Sequence, residues 1–202
     1  MTDYDTVKEN DNFRARLEYD DAADKPYDEG AVPILSREFN RYRYVFEGVN
    51  EQGKAYEDAV SDAWNRFNHD DDVLARWLRI FHGASSVLWD SSSNYAYLAF
   101  DTAEWRETHG LTDEWMDAHE MDRGELAKGS LDEVMAWANG EVFGFIVERR
   151  VKTSTIRTDA VTGDVLGTVE GEAWEEVDSC WGFYGRESAE DAATEAFDSY
   201  AK

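Results

Sequence analysis

The chain has 202 residues, which on a domain-size prior of roughly 100–200 residues is one domain or two small ones. Hydrophobic residues make up 42% of it, with 8 Trp, 10 Tyr and 10 Phe, so it can bury a core and is not a disordered acidic tail. The 45 Asp and Glu against 20 Lys and Arg leave a net charge of −25, which argues against direct contact with nucleic-acid backbones or anionic membranes and for basic partners.

Residues 1–10 show no apolar period and read as a flexible N-terminus ahead of a single domain over 11–202. Phe13, Ala15, Leu17 and Tyr19 alternate with Arg14, Arg16 and Glu18, the period of a strand with one buried face. An acidic loop runs from Asp20 to Gly30, and the apolar run 31–35 contains Pro33, which suits an edge strand. A second alternation sets Tyr42, Tyr44 and Phe46 against Arg41, Arg43 and Glu47 and ends at Gly48. Tyr56, Ala59, Val60, Ala63, Trp64 and Phe67 keep helical spacing, predicting an amphipathic helix over 54–68. Asp70 is placed to cap a second helix carrying Leu74, Trp77, Leu78 and Phe81, closed by Gly83.

Two apolar runs, 86–89 and 95–100, flank a polar stretch and predict a hairpin. Asp101 or Thr102 then caps a short helix, Thr112 starts another over 113–121, and Ser130-Leu131-Asp132-Glu133 is a capping box for a helix over 131–138. Residues 142–151 read as a long strand. Asp159 through Asp164 form a turn, with Gly163 available for positive φ, and the strand returning from Val165 towards Tyr184 is expected to break near Gly171 or to bulge. Ser188 caps a final helix whose apolar stripe is Ala189, Ala192, Ala193, Ala196, Phe197 and Tyr200. Hairpins joined by helices without regular βαβ alternation indicate an α+β fold, a mostly antiparallel sheet with several amphipathic helices. No internal repeat or linker stands out.

Motifs for chemistry are few. His69, His82, His109 and His119 lie in no metal-binding spacing, and no GxSxG, P-loop or GxGxxG occurs. Cys180 has acidic and aromatic neighbours, which blunt a thiol rather than activate it. One cysteine forms no internal disulfide, and no apolar run approaches the ~18 residues of a membrane span, so a soluble, reducing compartment is expected. No catalytic residue, cofactor or metal is assigned.

The acids are clustered. Residues 1–30 hold ten acids and four bases, residues 101–125 hold nine acids against Arg106 and Arg123, and residues 170–202 hold ten against Arg186 and Lys202. Trp105 and Trp115 fall inside the second cluster, and an exposed aromatic among carboxylates is what a hot spot for a basic partner needs. The expected partner-binding residues are Glu104, Trp105, Glu107, Asp113, Glu114, Trp115, Asp117 and Glu120, with Glu187, Glu190 and Asp191 in the third cluster.

The stretch Pro26-Tyr27-Asp28-Glu29-Gly30-Ala31-Val32-Pro33-Ile34-Leu35, with residues 178–185 and the acidic helix behind them, resembles uncharacterised acidic accessory proteins of actinobacterial phages and plasmids. The resemblance implies action in a bacterial cytoplasm and brings no activity or residue role with it. The leading expectation is a non-enzymatic interaction protein whose acidic surface mimics nucleic acid and occupies the basic groove of a host nuclease, restriction enzyme or other DNA-binding protein. The alternative is an acidic globular protein with a neutral-surface partner or a structural role, its charge serving solubility. An enzyme built on scattered carboxylates is a third class, to be recognised by a concave pocket holding a carboxylate of raised pKa.

Overall fold

The computed structural model describes residues 5–26, 30–39 and 46–202. Its elements are β1 (Asp5–Glu9), β2 (Phe13–Tyr19), β3 (Ile34–Glu38), β4 (Phe46–Gly48), α1 (Glu51–Lys54), α2 (Glu57–Arg66), α3 (Asp71–His82), β5 (Val87–Ser91) and β6 (Tyr95–Phe100). Then come α4 (Ala103–Thr108), α5 (Asp113–Ala118), a 3-10 turn at Arg123–Glu125, α6 (Lys128–Ala138), β7 (Val142–Thr158), β8 (Val165–Tyr184) and α7 (Arg186–Tyr200). The strand pairs are antiparallel, in sheets ordered β1-β2-β7-β8 and β4-β3-β6-β5, so the fold is α+β. The chain divides into two compact units, Met1–Ala22 with Val142–Lys202, and Ala23–Glu141. The sequence shows no linker and predicts one domain over 11–202.

In the first unit, α7 lies on the sheet through Ala189, Ala193 and Phe197, buried with Ala15, Leu17, Phe143, Phe145 and Val147. This helix begins at Arg186 after Gly185 (φ 90°), so Ser188 is inside it and not its cap. Residues 5–9, expected to be frayed, form an edge strand. Val7 is the one apolar side chain of that strand packed against the core, which is why the segment shows no apolar period; Lys8 lies over the Phe197 ring and bridges Asp198 at 2.5 Å, and Arg186 ion-pairs with Asp5. Between β2 and β7, Glu148 accepts from Arg14 Nε at 2.6 Å and Arg16 Nε at 3.0 Å. Burial works to raise the Glu148 pKa, but the hydrogen bonds from the two guanidinium groups outweigh it and hold it below the usual carboxylate value.

β7 and β8 pair from Val142↔Tyr184 to Thr158↔Val165 with three register shifts, so the return strand bulges and runs unbroken through Gly171. Gly144 is required by a close approach, since a Cβ there would lie 2.2 Å from the Trp181 indole. β2 accompanies β7 only as far as Arg149, and past that point the hairpin is a ribbon of two strands. Asp159 Oδ1 caps the turn by accepting from Val161 and Thr162 N at 2.8 and 2.9 Å.

The sheet of the second unit is buried on both faces. Leu35, Leu98 and Phe100 face Val60, Trp64, Leu74 and Leu78 of α2 and α3. Ile34, Tyr97 and Ala99 join Val32, Trp105, Leu131 and Val134 on the other side. Double burial explains the uninterrupted apolar runs at 31–35 and 95–100. It also corrects the edge-strand expectation. β3 is central, and Pro33 sits one residue ahead of it, where its missing N–H costs nothing and its carbonyl accepts from Phe100 N at 3.1 Å.

Asp70 caps α3 as expected, accepting from Val73 N at 3.0 Å, and Gly83 ends it with φ 64°. The helix expected over 54–68 is α2, and the short α1 precedes it. Asn50 caps α1, its Oδ1 accepting from Gly53 N at 2.7 Å while Nδ2 donates to Val32 O at 2.8 Å. The capping box at Ser130 is not used: α6 begins at Lys128, and Ser130 Oγ accepts from Val32 N at 3.3 Å. Of the alternation at 41–47, Tyr42 and Tyr44 lie outside the described residues. Gly48 does end β4.

Candidate functional site

The segment leading into α4 starts from a fully buried carboxylate. Asp101 Oδ1 accepts from the backbone of Ser85 at 2.8 Å and Ser86 at 2.5 Å, Oδ2 accepts from Ser85 Oγ at 2.8 Å, and Arg106 ion-pairs with Oδ2. Arg106 also donates to Gly83 O at 2.9 Å. Asp101 is therefore a clasp, and Thr102 is the cap, its Oγ1 accepting from Trp105 N at 3.0 Å.

From Thr102 onward the chain carries a short repeat that sequence reading missed. Thr102-Ala103-Glu104-Trp105-Arg106-Glu107-Thr108-His109 and Thr112-Asp113-Glu114-Trp115-Met116-Asp117-Ala118-His119 share Thr, Glu, Trp and His at a ten-residue offset. The shared residues do the same local work. Thr112 Oγ1 accepts from Trp115 N at 3.2 Å, as Thr102 does from Trp105. In each segment the His Nδ1 donates to the Trp carbonyl at 2.7 Å. Each imidazole also lies over its indole, with centroids 4.7 Å apart for His109 and Trp105 and 4.0 Å, nearly parallel, for His119 and Trp115. A carbonyl only accepts, so Nδ1 carries a proton in both rings. The signal was present as a spacing, but ten residues is far below the 20–50-residue periods that mark repeat architectures.

The two tryptophans part company in burial. Trp105 is 8% exposed and its Nε1 donates to Ala31 O at 2.9 Å, so it is a core residue and not the exposed hot spot expected of it. Trp115 is 40% exposed, and the inward position of its helix is taken by the fully buried Met116. Around Trp115 stand exposed Asp113, Glu114, Asp117 and Glu120, with Arg123 bridging Asp113 at 3.4 Å and Asp117 at 2.8 Å. Exposed Glu104 and Glu107 belong to α4. Glu187, Glu190 and Asp191 lie on α7, in the other unit, where Arg186 pairs with Glu190 at 2.6 Å.

Among the described residues no group of three or more His, Cys, Asp or Glu is placed to hold a metal ion, and no helix is long and apolar enough to cross a membrane. Cys180 is exposed on β8. No family model, curated protein or solved structure matches the chain.

Proposed function

We propose that this is a non-catalytic docking protein of a bacterial cytoplasm, of phage or plasmid origin, whose α4–α5 surface enters a basic groove built for nucleic acid and so inhibits a DNA-handling or defence protein. The observation that carries the reading is Trp115, 40% exposed among four carboxylates while its repeat counterpart is buried. An indole of this exposure leaves on the order of 100 Å² of mostly apolar surface in water, about 2.5 kcal/mol recoverable when a partner covers it. That is the size of an interface hot spot. The surrounding acids supply the phosphate-like charge, since duplex DNA presents one negative charge per ~1.7 Å of axis.

The test is a pull-down from bacterial lysate in three parallel arms: wild type, wild type with duplex DNA in excess, and Trp115→Ala. The reading expects a basic DNA-binding protein that is retained by the wild type, displaced by DNA and by raised salt, and lost with Trp115→Ala. Retention of the same proteins in all three arms would sink it.

A further inference from the structure

The second unit contains a cleft of about 520 Å³ lined by Pro33, Tyr56, Glu104, Trp105, Thr108 and His109 among others, within the ~300–1,000 Å³ range of small-ligand sites. Its walls are held from behind. Trp105 is fixed by its bond to Ala31 O and by the His109 ring over it. The Tyr56 ring meets Phe100 and His82 edge-on, at 5.4 and 5.6 Å, and its hydroxyl lies 3.2 Å from Thr102 Oγ1 and 3.4 Å from Glu104 Oε2.

The charge of the cleft is one-sided. The Glu104 carboxylate is at its lip, no Lys or Arg among the described residues lines it, and burial pushes His82 behind Tyr56 below the usual imidazole value against the pull of Glu104. The half-buried Tyr56 ring, the part of Trp105 left exposed beside His109, and the Glu104 carboxylate, with no Lys or Arg among the described lining residues, suit a small positive charge.

We infer that this cleft binds a small organic ammonium ion, its alkyl body against Trp105, Tyr56 and Pro33 and its charge facing Glu104. The cleft shares exposed Glu104 with the proposed docking surface but does not use Trp115, so Trp115→Ala should abolish docking and leave choline binding unchanged.

The test uses choline as probe and 3,3-dimethylbutan-1-ol, its uncharged isostere, as comparator, followed by calorimetry and by shifts of backbone and indole resonances in ¹⁵N-labelled full-length protein. Choline should shift the Trp105 indole and the Thr108 and His109 amides, and bind about tenfold more tightly than the isostere. Glu104→Gln, an exposed change that leaves the core untouched, should remove most of that preference, whereas Glu141→Gln, elsewhere on the unit, should keep it. A capped lysine amide that binds as well as choline would still support the cleft and show that it also accepts a side-chain ammonium. Equal binding of the isostere, undiminished binding by Glu104→Gln, no detectable binding of choline, or shifts spread over the acidic helices and absent from the cleft would overturn the inference.

Discussion

Residues 102–111 and 112–121 begin with the same Thr cap, place Trp at the same position and lay a His ring over it, yet one indole is a core residue and the other faces solvent. The difference lies in the residue after each tryptophan. In the first segment it is Arg106, drawn to the buried Asp101 carboxylate, and Trp105 turns inward to bond Ala31 O. In the second it is Met116, which is itself fully buried and leaves Trp115 outside. Local capping therefore sets the backbone of each turn, and the neighbouring side chain decides which aromatic is spent on folding. An indole left 40% exposed among acids is the one the proposed docking uses.

The largest expected effect tests that division directly. Trp105→Ala should destabilise the second unit by about 4 kcal/mol, as for other buried aromatics, while Trp115→Ala should cost no more than about 1 kcal/mol in the same urea titration. Equal losses would erase the contrast. Next comes Arg106→Met, which places the second segment's residue in the first. It should cost about 3 kcal/mol because the fully buried Asp101 loses its counter-ion, and a neutral result would show that Arg106 does not set the first segment's orientation. The smallest effect sharpens the backbone half of the comparison. Glu120 holds φ 52° where the first segment has Gly110 at φ 70°, so Glu120→Gly should raise stability by about 1 kcal/mol in the same titration, and a loss would mean the side chain compensates its strain.

The acids of α7 are left out of the proposed docking surface. Glu187, Asp191, Glu195 and Asp198 succeed one another three or four residues apart along it. At 1.5 Å of rise per residue that is one charge per ~6 Å, about a third of duplex density. The opposite side of α7 buries Ala189, Ala193 and Phe197, so its acids are the solvated face of an amphipathic helix.

Much of the fold was legible because local rules and tertiary demands agree. The Asp70 cap, the Gly83 stop, the hairpin at 87–100 and the turn at Asp159 each arise from residues a few positions apart. The misses came where a distant partner redefined a residue. Pro33 read as an edge signal until β6 and β4 flanked it, Ser130 gave up its capping role to Val32, and β1 is held by Arg186 and Asp198 from the far end of the chain. The candidate site was half legible. Composition pointed to the acids around both tryptophans, but periodicity could not say which would be buried, because that turns on Asp101 and Ala31, outside either helix.

The most direct test of the central claim compares the two acidic regions against the DNA-displaceable partner retained in the pull-down. Its affinity should be measured over a salt series for the wild type, for Glu114→Gln with Glu120→Gln beside Trp115, and for Asp191→Asn with Glu195→Gln on α7. The account predicts a clearly reduced salt slope and weaker binding for the first pair and values close to wild type for the second. A larger loss from the α7 pair, or no change from the pair beside Trp115, would contradict it.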